Sequence, residues 1–366
     1  MSKKKWKTAL VNLFLEGFVF FNKRLKPKES FDSARDFRSI VIYSTTALGD
    51  LMFNTPAIKA IRQRYPDAFI TLVSSEKNRG LVSDCAYFQQ VVYWDEKIKD
   101  IVGLVSSLKK SKPELAIILH SKAPYDVLSA VMAGCEYVFK DVYGNKTTGM
   151  EKWIVNSPVL FDGHLIQRKL NLLKLLDCDV SDKEMFIPII FPEVDKDTTK
   201  ISIGFQMGAS ETLRCWPVTR FVELAEKLSL LGPEYRIVLI GTNKEKGHEQ
   251  EFFNALPESA KGSVVSYIGK TDLKTLLGIL KNVDVLVTGD TGPLHLAVAL
   301  KTRTISLFVT ANPSHTGPYQ DPELHQILQV PYEAAKQSSP SLEQPLSVIG
   351  SDAVLEKIIS LLSKNQ

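Results

Sequence analysis

The stretch 288-TGDTGPLHLAVALKTRTISLF-308 reads as the end of a strand, a polar turn, a helix of small apolar residues and a second buried strand. Strand, helix and strand in direct succession are the repeating unit of a parallel sheet covered by helices. In such open sheets ligands sit beyond the carboxyl ends of the strands, where a helix N-terminus offers unpaired N–H groups and the positive end of its dipole to anions. Thr291 and Gly292 let the backbone approach a ligand closely, Pro293 suits the first helical position, and Asp290 or Thr291 suits the cap. A pyrophosphate fits such a turn. Turns of this type also do no more than start helices, and His295 either points at the same ligand or packs beneath the turn.

The alternation extends outward from this stretch. Upstream lie apolar runs at 284-DVLVT-288, 264-VVSYI-268, 236-RIVLI-240 and 201-ISIGF-205, separated by helical patterns at 272-DLKTLLGILKNV-283, about 246–256 and 218-VTRFVELAEKLSLLG-232. The first half repeats the order with strands at 40-IVIYS-44, 69-FITLVS-74, 91-VVYW-94 and 115-LAIILH-120. The expectation is an α/β protein of two Rossmann-like, doubly wound parallel-sheet domains, residues 39–182 and 199–348, joined by a polar, proline-bearing linker. Residues 349–366 are expected to form a helix packing back across the join. A length of 366 residues is comfortable for two cores.

Composition narrows the class. Hydrophobic residues at 44% and charged residues at 23% are ordinary for a globular protein that is neither disordered nor multiply membrane-spanning. Of the formal charge of +4, residues 1–39 hold ten Lys or Arg against four acids, or +6, which leaves −2 for the rest. The basic balance therefore marks a local arm, and no nucleic-acid partner is expected. Four cysteines without a CxxC pair suit neither a disulfide framework nor a zinc site, and point to a reducing cytoplasm.

That arm, residues 1–38, begins MSKKKWKTALVNLFLEGFVFFNKRLKPKES. Asn12 and Glu16 interrupt its apolar run and no cleavage site follows, so it is expected to stay attached. The thirteen residues from Ala9 to Phe21 fall short of the roughly 20 that cross a bilayer. As an amphipathic helix it aligns Trp6, Leu10, Leu13, Phe14, Phe18, Phe21 and Leu25 between lysine-bearing ends, a pattern suited to an anionic membrane surface for residues 1–30. Val11, Leu15 and Val19 widen that face, and packing on the protein itself is the competing reading.

Three further loops carry candidate chemistry. In 45-TTALGD-50, Asp50 opens a helix after the first strand, as a dipole-favoured acid or as a general base at a cleft between the domains. In 206-QMGASETLRCWP-217, Gly208 and Ser210 loosen the loop and Arg214 can reach phosphate oxygens as a bidentate donor. In 241-GTNKEKG-247, Gly241 relieves the strand-to-helix turn and can lie beside a ribose or base. Asp177-Cys178-Asp179 matches a DxD metal pattern but closes a helix away from these loops, so no metal ligand is assigned. GxGxxG, GxxxxGK[ST] and GxSxG are absent.

Taken together, 46-TALGDLMFNTPAIKAIRQRYPDA-68, 206-QMGASETLRCWPVTRFVELAEKL-228, 266-SYIGKTDLKTLLGIL-280 and 288-TGDTGPLHLAVAL-300 give a chain that resembles glycosyltransferase family 9, the ADP-heptose:lipopolysaccharide heptosyltransferases, across roughly residues 39–345. The resemblance implies the GT-B fold, two Rossmann-like domains facing a cleft, and an inverting, metal-independent transfer of a heptose from ADP-heptose to a hydroxyl of the lipopolysaccharide inner core. It implies no cofactor beyond the nucleotide-sugar substrate. Asp50 stands in the family's catalytic LGD motif, Arg214 where the family often has lysine, and Thr291, Gly292 and Pro293 in its diphosphate loop, with Asp290 and His295 flanking. The partners implied are a nucleotide sugar and a lipid-linked saccharide, at the inner face of the cytoplasmic membrane of a Gram-negative type of bacterium. One departure is 308-FVTANPSHTGP-318, where Val309 and Thr310 replace the family's common Gly-Pro. Two alternatives stay open: a transferase of the same fold with another nucleotide sugar or surface-glycan acceptor, and a non-catalytic membrane-bound scaffold.

Overall fold

SIVIYS, the first strand, is buried at every position, as a strand covered by helices on both faces must be. In the computed structural model it is β1 (Ser39–Ser44), the third strand of a five-stranded parallel sheet in the order β3-β2-β1-β4-β5. Its companions are β2 (Phe69–Ser74), β3 (Gln90–Tyr93), β4 (Leu115–His120) and β5 (Tyr137–Lys140). The helices of this half are α1 (Lys3–Asn22), α2 (Leu48–Arg64), α3 (Arg79–Val82), α4 (Ile101–Lys109), α5 (Tyr125–Ala133) and α6 (Leu165–Leu173). The structure describes residues 3–142, 148–157, 161–338 and 344–363, and the chain divides between Ile189 and Ile190. That break falls inside the polar stretch 182–198.

The second unit holds six parallel strands in the order β11-β10-β9-β6-β7-β8: β6 (Ile201–Gln206), β7 (Tyr235–Ile240), β8 (Val264–Ser266), β9 (Val285–Gly289), β10 (Arg303–Phe308) and β11 (His325–Gln329). Its helices are α7 (Val218–Leu231), α8 (Lys246–Ala255), α9 (Glu258–Lys261), α10 (Leu273–Asn282), α11 (Gly292–Ala299), α12 (Pro313–Thr316), α13 (Tyr332–Ser338) and α14 (Ser351–Ser363). Ile203, Phe205, Trp216, Phe221 and Phe252 centre one core, and Val41, Tyr43, Leu108, Ile118 and Val138 the other.

Each sheet reverses direction once. In the first unit the chain runs outward through β1, β2 and β3, then returns to start β4 on the other side of β1. In the second it runs through β6, β7 and β8, then starts β9 on the other side of β6. The crevice above such a reversal is where open α/β sheets hold ligands. The segments at those two points are the ends of β1 and β4, and the ends of β6 and β9.

Helix α1 docks on its own unit. Val11 and Leu15 are buried in the first core beside Met150 and Trp153, the Trp153 Nε1 donates to Asn12 Oδ1 at 2.7 Å, and Asn12 Nδ2 donates to the Gly149 carbonyl at 2.8 Å. The residues that widened the apolar face are thus docked, and Phe18 and Leu25 from the side expected to face the membrane pack against the same core. Leu13 and Phe21 are 69% and 83% exposed, and Trp6, Leu10, Phe14 and Phe20 are exposed with them. Among the described residues no helix is long and apolar enough to cross a membrane. The last helix packs on α7, where Lys227 Nζ donates to Ser351 Oγ at 2.9 Å, and Val354, Ile358 and Leu361 complete the second core. Residues 1–2 of the arm and 364–366 of the expected terminal helix lie outside the described residues. All four cysteines are free and buried.

Candidate active site

In the second unit the turn between β9 and α11 is built on Gln206, at the end of the neighbouring strand β6. Its Oε1 accepts from Thr288 Oγ1 at 2.8 Å and from Thr291 Oγ1 at 3.1 Å, while its Nε2 donates to the Gly208 carbonyl. One buried amide thereby ties both loops at the switch point together. Thr291 is the N-cap residue of α11, but its hydroxyl turns to Gln206 and Thr288 rather than to the helix, and no side chain caps α11. Gly292 takes the first helical position and Pro293 the second, one place later than the sequence pattern suggested. Pro293 has no N–H and the Leu294 N–H bonds back to the Thr291 carbonyl at 3.2 Å, so what this turn, held in shape from behind, offers an anion is the Gly292 N–H and the positive dipole end.

Arg214 stands beside that turn. Its Nη1 donates to the Asp290 carbonyl at 3.2 Å and lies 3.5 Å from Asp290 Oδ2, and its Nη2 donates to Ser210 Oγ at 3.0 Å and Glu211 Oε1 at 3.2 Å. The other carboxylate oxygen of Asp290 lies 3.7 Å from Nε2 of the buried His295. Asp290 therefore bridges Arg214 and His295, and Ser210 steadies the guanidinium. A side chain at Gly289 would place its Cβ 2.5 Å from the Arg214 carbonyl, so the close approach of the two loops requires glycine there.

Gly208 and Gly241 both pack around Glu245. The Glu245 carboxylate accepts from the Thr242 N–H at 2.6 Å and hydroxyl at 2.7 Å, the capping box that Thr242-x-x-Glu245 spells out. Its carboxylate adds an acid beside the loop of Gly208, a residue the glycine reading alone passed over.

In the first unit Asp50 sits in the first turn of α2, one strand-to-helix turn beyond β1. Its Oδ2 accepts from the Ala47 N–H at 3.3 Å, and its Oδ1 lies 3.5 Å from Nδ1 of His120, the last residue of β4. Behind His120 is a buried ionic cluster. Lys169 Nζ donates to Leu119 O at 2.6 Å and to Asp141 Oδ2 at 2.7 Å, and Arg168 Nε pairs with Asp141 Oδ1 at 2.7 Å. Burial would raise Asp141, but the cations of Lys169 and Arg168 hold it below the usual carboxylate range. Burial, with the Lys169 cation next, pushes the His120 imidazole down to about 4, against the pull of Asp50 and Asp141. Neither His120 nor this cluster was singled out from the sequence, because strand pairing and α6 packing bring them to Asp50.

The structure thus gathers Arg214, Ser210, Asp290, Thr291, Gly292, Pro293 and His295 around one turn, and places Gly208 and Gly241 about Glu245 nearby in the same unit. Asp50 belongs to the first unit. Among the described residues no group of three or more His, Cys, Asp or Glu is arranged to hold a metal ion.

The chain as a whole is similar to known proteins. A family model described as glycosyltransferase family 9 (heptosyltransferase) matches residues 147–346. Lipooligosaccharide heptosyltransferase 2 of Haemophilus influenzae is 32% identical over 311 residues, 77% of this chain and 86% of that relative. Among solved structures, a glycosyl transferase family 9 protein from Veillonella parvula aligns with a TM-score of 0.75 at 21% identity, covering 91% of this chain and 100% of that one. ADP-heptose LPS heptosyltransferase II of E. coli aligns with a TM-score of 0.72 at 20% identity, covering 89% and 99%. The family match spans more than half the chain and the fold aligns over about nine-tenths of it: the protein belongs to glycosyltransferase family 9, the heptosyltransferase family, and is a glycosyltransferase.

Proposed function

We propose that this chain transfers a heptose from ADP-heptose to a hydroxyl of the lipopolysaccharide inner core with inversion at the anomeric carbon. The observation that carries the reading is the uncapped N-terminus of α11 at the switch point of the second sheet, with Arg214 pinned alongside by Asp290 and Ser210. Breaking the glycosidic bond leaves negative charge on the departing diphosphate and positive charge on the sugar. Donors fixed in advance at the diphosphate stabilise that transition state. The names of the relatives supply the heptose and the adenine nucleotide.

Asp50 takes the proton of the acceptor hydroxyl as that oxygen bonds to the anomeric carbon, and the ADP leaves with the bonding pair. Arg214, Thr291 and the Gly292 N–H at the start of α11 meet the diphosphate, Gly208 and Gly241 admit the nucleoside beside Glu245, and His295 supports Asp290. No step in this reading needs a metal or a further cofactor. The acceptor is carried on lipid, and the exposed apolar side of α1 is assigned to an anionic membrane surface at the cytoplasmic face of a Gram-negative inner membrane.

The test is a calorimetric titration with ADP, GDP and UDP in EDTA, repeated with Thr291→Glu, whose carboxylate repels a diphosphate. Selective ADP binding lost in the variant is the expected result. Tighter UDP or GDP binding replaces the donor and keeps the chemistry, while no nucleotide binding at all moves the assignment to a non-catalytic scaffold.

A further inference from the structure

We infer that His120 is a positioning residue for Asp50: as a neutral imidazole at the end of β4, it holds the carboxylate in the orientation in which it accepts the proton of the incoming hydroxyl. The inference rests on Asp50 being the base.

Geometry comes first. Strands β1 and β4 are neighbours at the switch point of the first sheet, and Ser44 at the end of β1 pairs with His120. Asp50 follows β1 by one turn, which brings its Oδ1 to 3.5 Å from His120 Nδ1, at the long end of hydrogen-bond reach, as catalytic contacts often are before substrate binds. The backbone around His120 is fixed on three sides. The Leu119 carbonyl accepts from Lys169, the Ser121 carbonyl accepts from Lys140 at 2.9 Å, and the His120 carbonyl accepts from the Thr45 N–H at 2.9 Å. Lys169 and Lys140 are fully buried, each completed by an aspartate, Asp141 and Asp126 respectively. Two buried ammonium groups spend hydrogen bonds on the carbonyls either side of one histidine, which fixes the backbone from which its imidazole projects.

Charge decides the protonation state. The groups that face His120 are Asp50 from α2, Lys169 and Arg168 from α6, and Asp141 after β5. Asp141 already answers Lys169 and Arg168, so a third cation on the imidazole would sit against Lys169 with only Asp50 to oppose it. The ring stays neutral at neutral pH. A neutral imidazole carries one N–H, and with Nδ1 toward a carboxylate that nitrogen is the donor. A neutral donor orients Asp50 without pairing a full positive charge to it, whereas an imidazolium would compete with the substrate hydroxyl for the carboxylate's basicity. The imidazole proton stays in place throughout, and the substrate proton ends on Asp50.

The experiment compares full-length His120→Ala, His120→Asn, His120→Gln and Asp50→Asn with the parent protein by steady-state kinetics with ADP-heptose and a lipopolysaccharide-core acceptor, together with Tm. An asparagine amide can stand where Nδ1 stands, while a glutamine amide reaches toward the Nε2 position. The expected result for His120→Ala is a kcat loss on the order of 100-fold, with KM for the donor unchanged. His120→Asn should recover most of that loss and His120→Gln should not. Full kcat in His120→Ala overturns the inference. So does equal failure of the Asn and Gln variants with lowered Tm, which marks a structural role. Full activity in Asp50→Asn sinks the base assignment itself, while an inactive Asp50→Asn beside a fully active His120→Ala leaves the base standing and removes only His120.

Discussion

Gly289 shows how a single residue sets the distance between two loops. Its missing side chain lets the Arg214 carbonyl close on the end of β9, so Gly289→Ala must push the 206–217 loop away from the turn. The expected outcome is a loss of ADP affinity on the order of tenfold, or about 1.4 kcal/mol, with a smaller fall in Tm, read by titration calorimetry and thermal melts. Asp141 offers a second test at this scale. It answers both Lys169 and Arg168 in a buried setting, so Asp141→Asn leaves two cations without their partner and should cost about 3–5 kcal/mol in urea unfolding of the first unit. Because its folded value is depressed, the stability Asp141 contributes is complete above the ordinary aspartate range near pH 4 and is lost as pH falls through the folded value.

Among the elements, α1 makes the sharpest claim. One side is committed to the core through Val11 and Leu15 and the other shows Leu13, Phe20 and Phe21 to solvent, with Lys5, Lys7, Lys23 and Arg24 near its ends. Substitution of the exposed side is therefore cleaner than deletion, which would strip Met150 and Trp153 of their cover. The triple variant Leu13→Ser, Phe20→Ser, Phe21→Ser should keep its Tm and stop sedimenting with phosphatidylglycerol vesicles; unchanged sedimentation removes the membrane assignment. The strands on either side of the GDTG turn were legible because they are buried and read as short, mostly apolar runs rich in β-branched residues. Strands β5 and β11 were not read from the sequence. YVFK is four residues ending in a lysine that α5 neutralises through Asp126, and HQILQ is an edge strand with polar residues at both ends. The site divides in the same way. Asp50, Arg214 and the 290–293 turn belong to local patterns of turn chemistry, whereas Gln206 and His120 matter through the strand beside them, a relation that exists only once the sheet has formed.

For the whole molecule, two histidines, one in each unit, set the response to acid. Burial pushes both His120 and His325 down to about 4, the latter accompanied by a 2.9 Å contact between Thr304 Oγ1 and its Nδ1. Both are neutral when folded and take up a proton on unfolding below the ordinary imidazole range near pH 6.5, so stability is complete above that pH and falls progressively toward pH 4. Urea midpoints measured across this interval should drop for both units, and His325→Asn should flatten the drop in the second alone.

The chain winds both halves by one plan, an outward run of three strands followed by a return to the other side of the first, and each half closes its own core on its own side of Ile189 and Ile190. That break is a natural crossover for recombination. A chimera that takes residues 1–189 from another member of the family and keeps 190–366 from this one should inherit two intact cores, and on the function proposed above its acceptor choice is expected to travel in the first piece and its nucleotide choice to stay in the second.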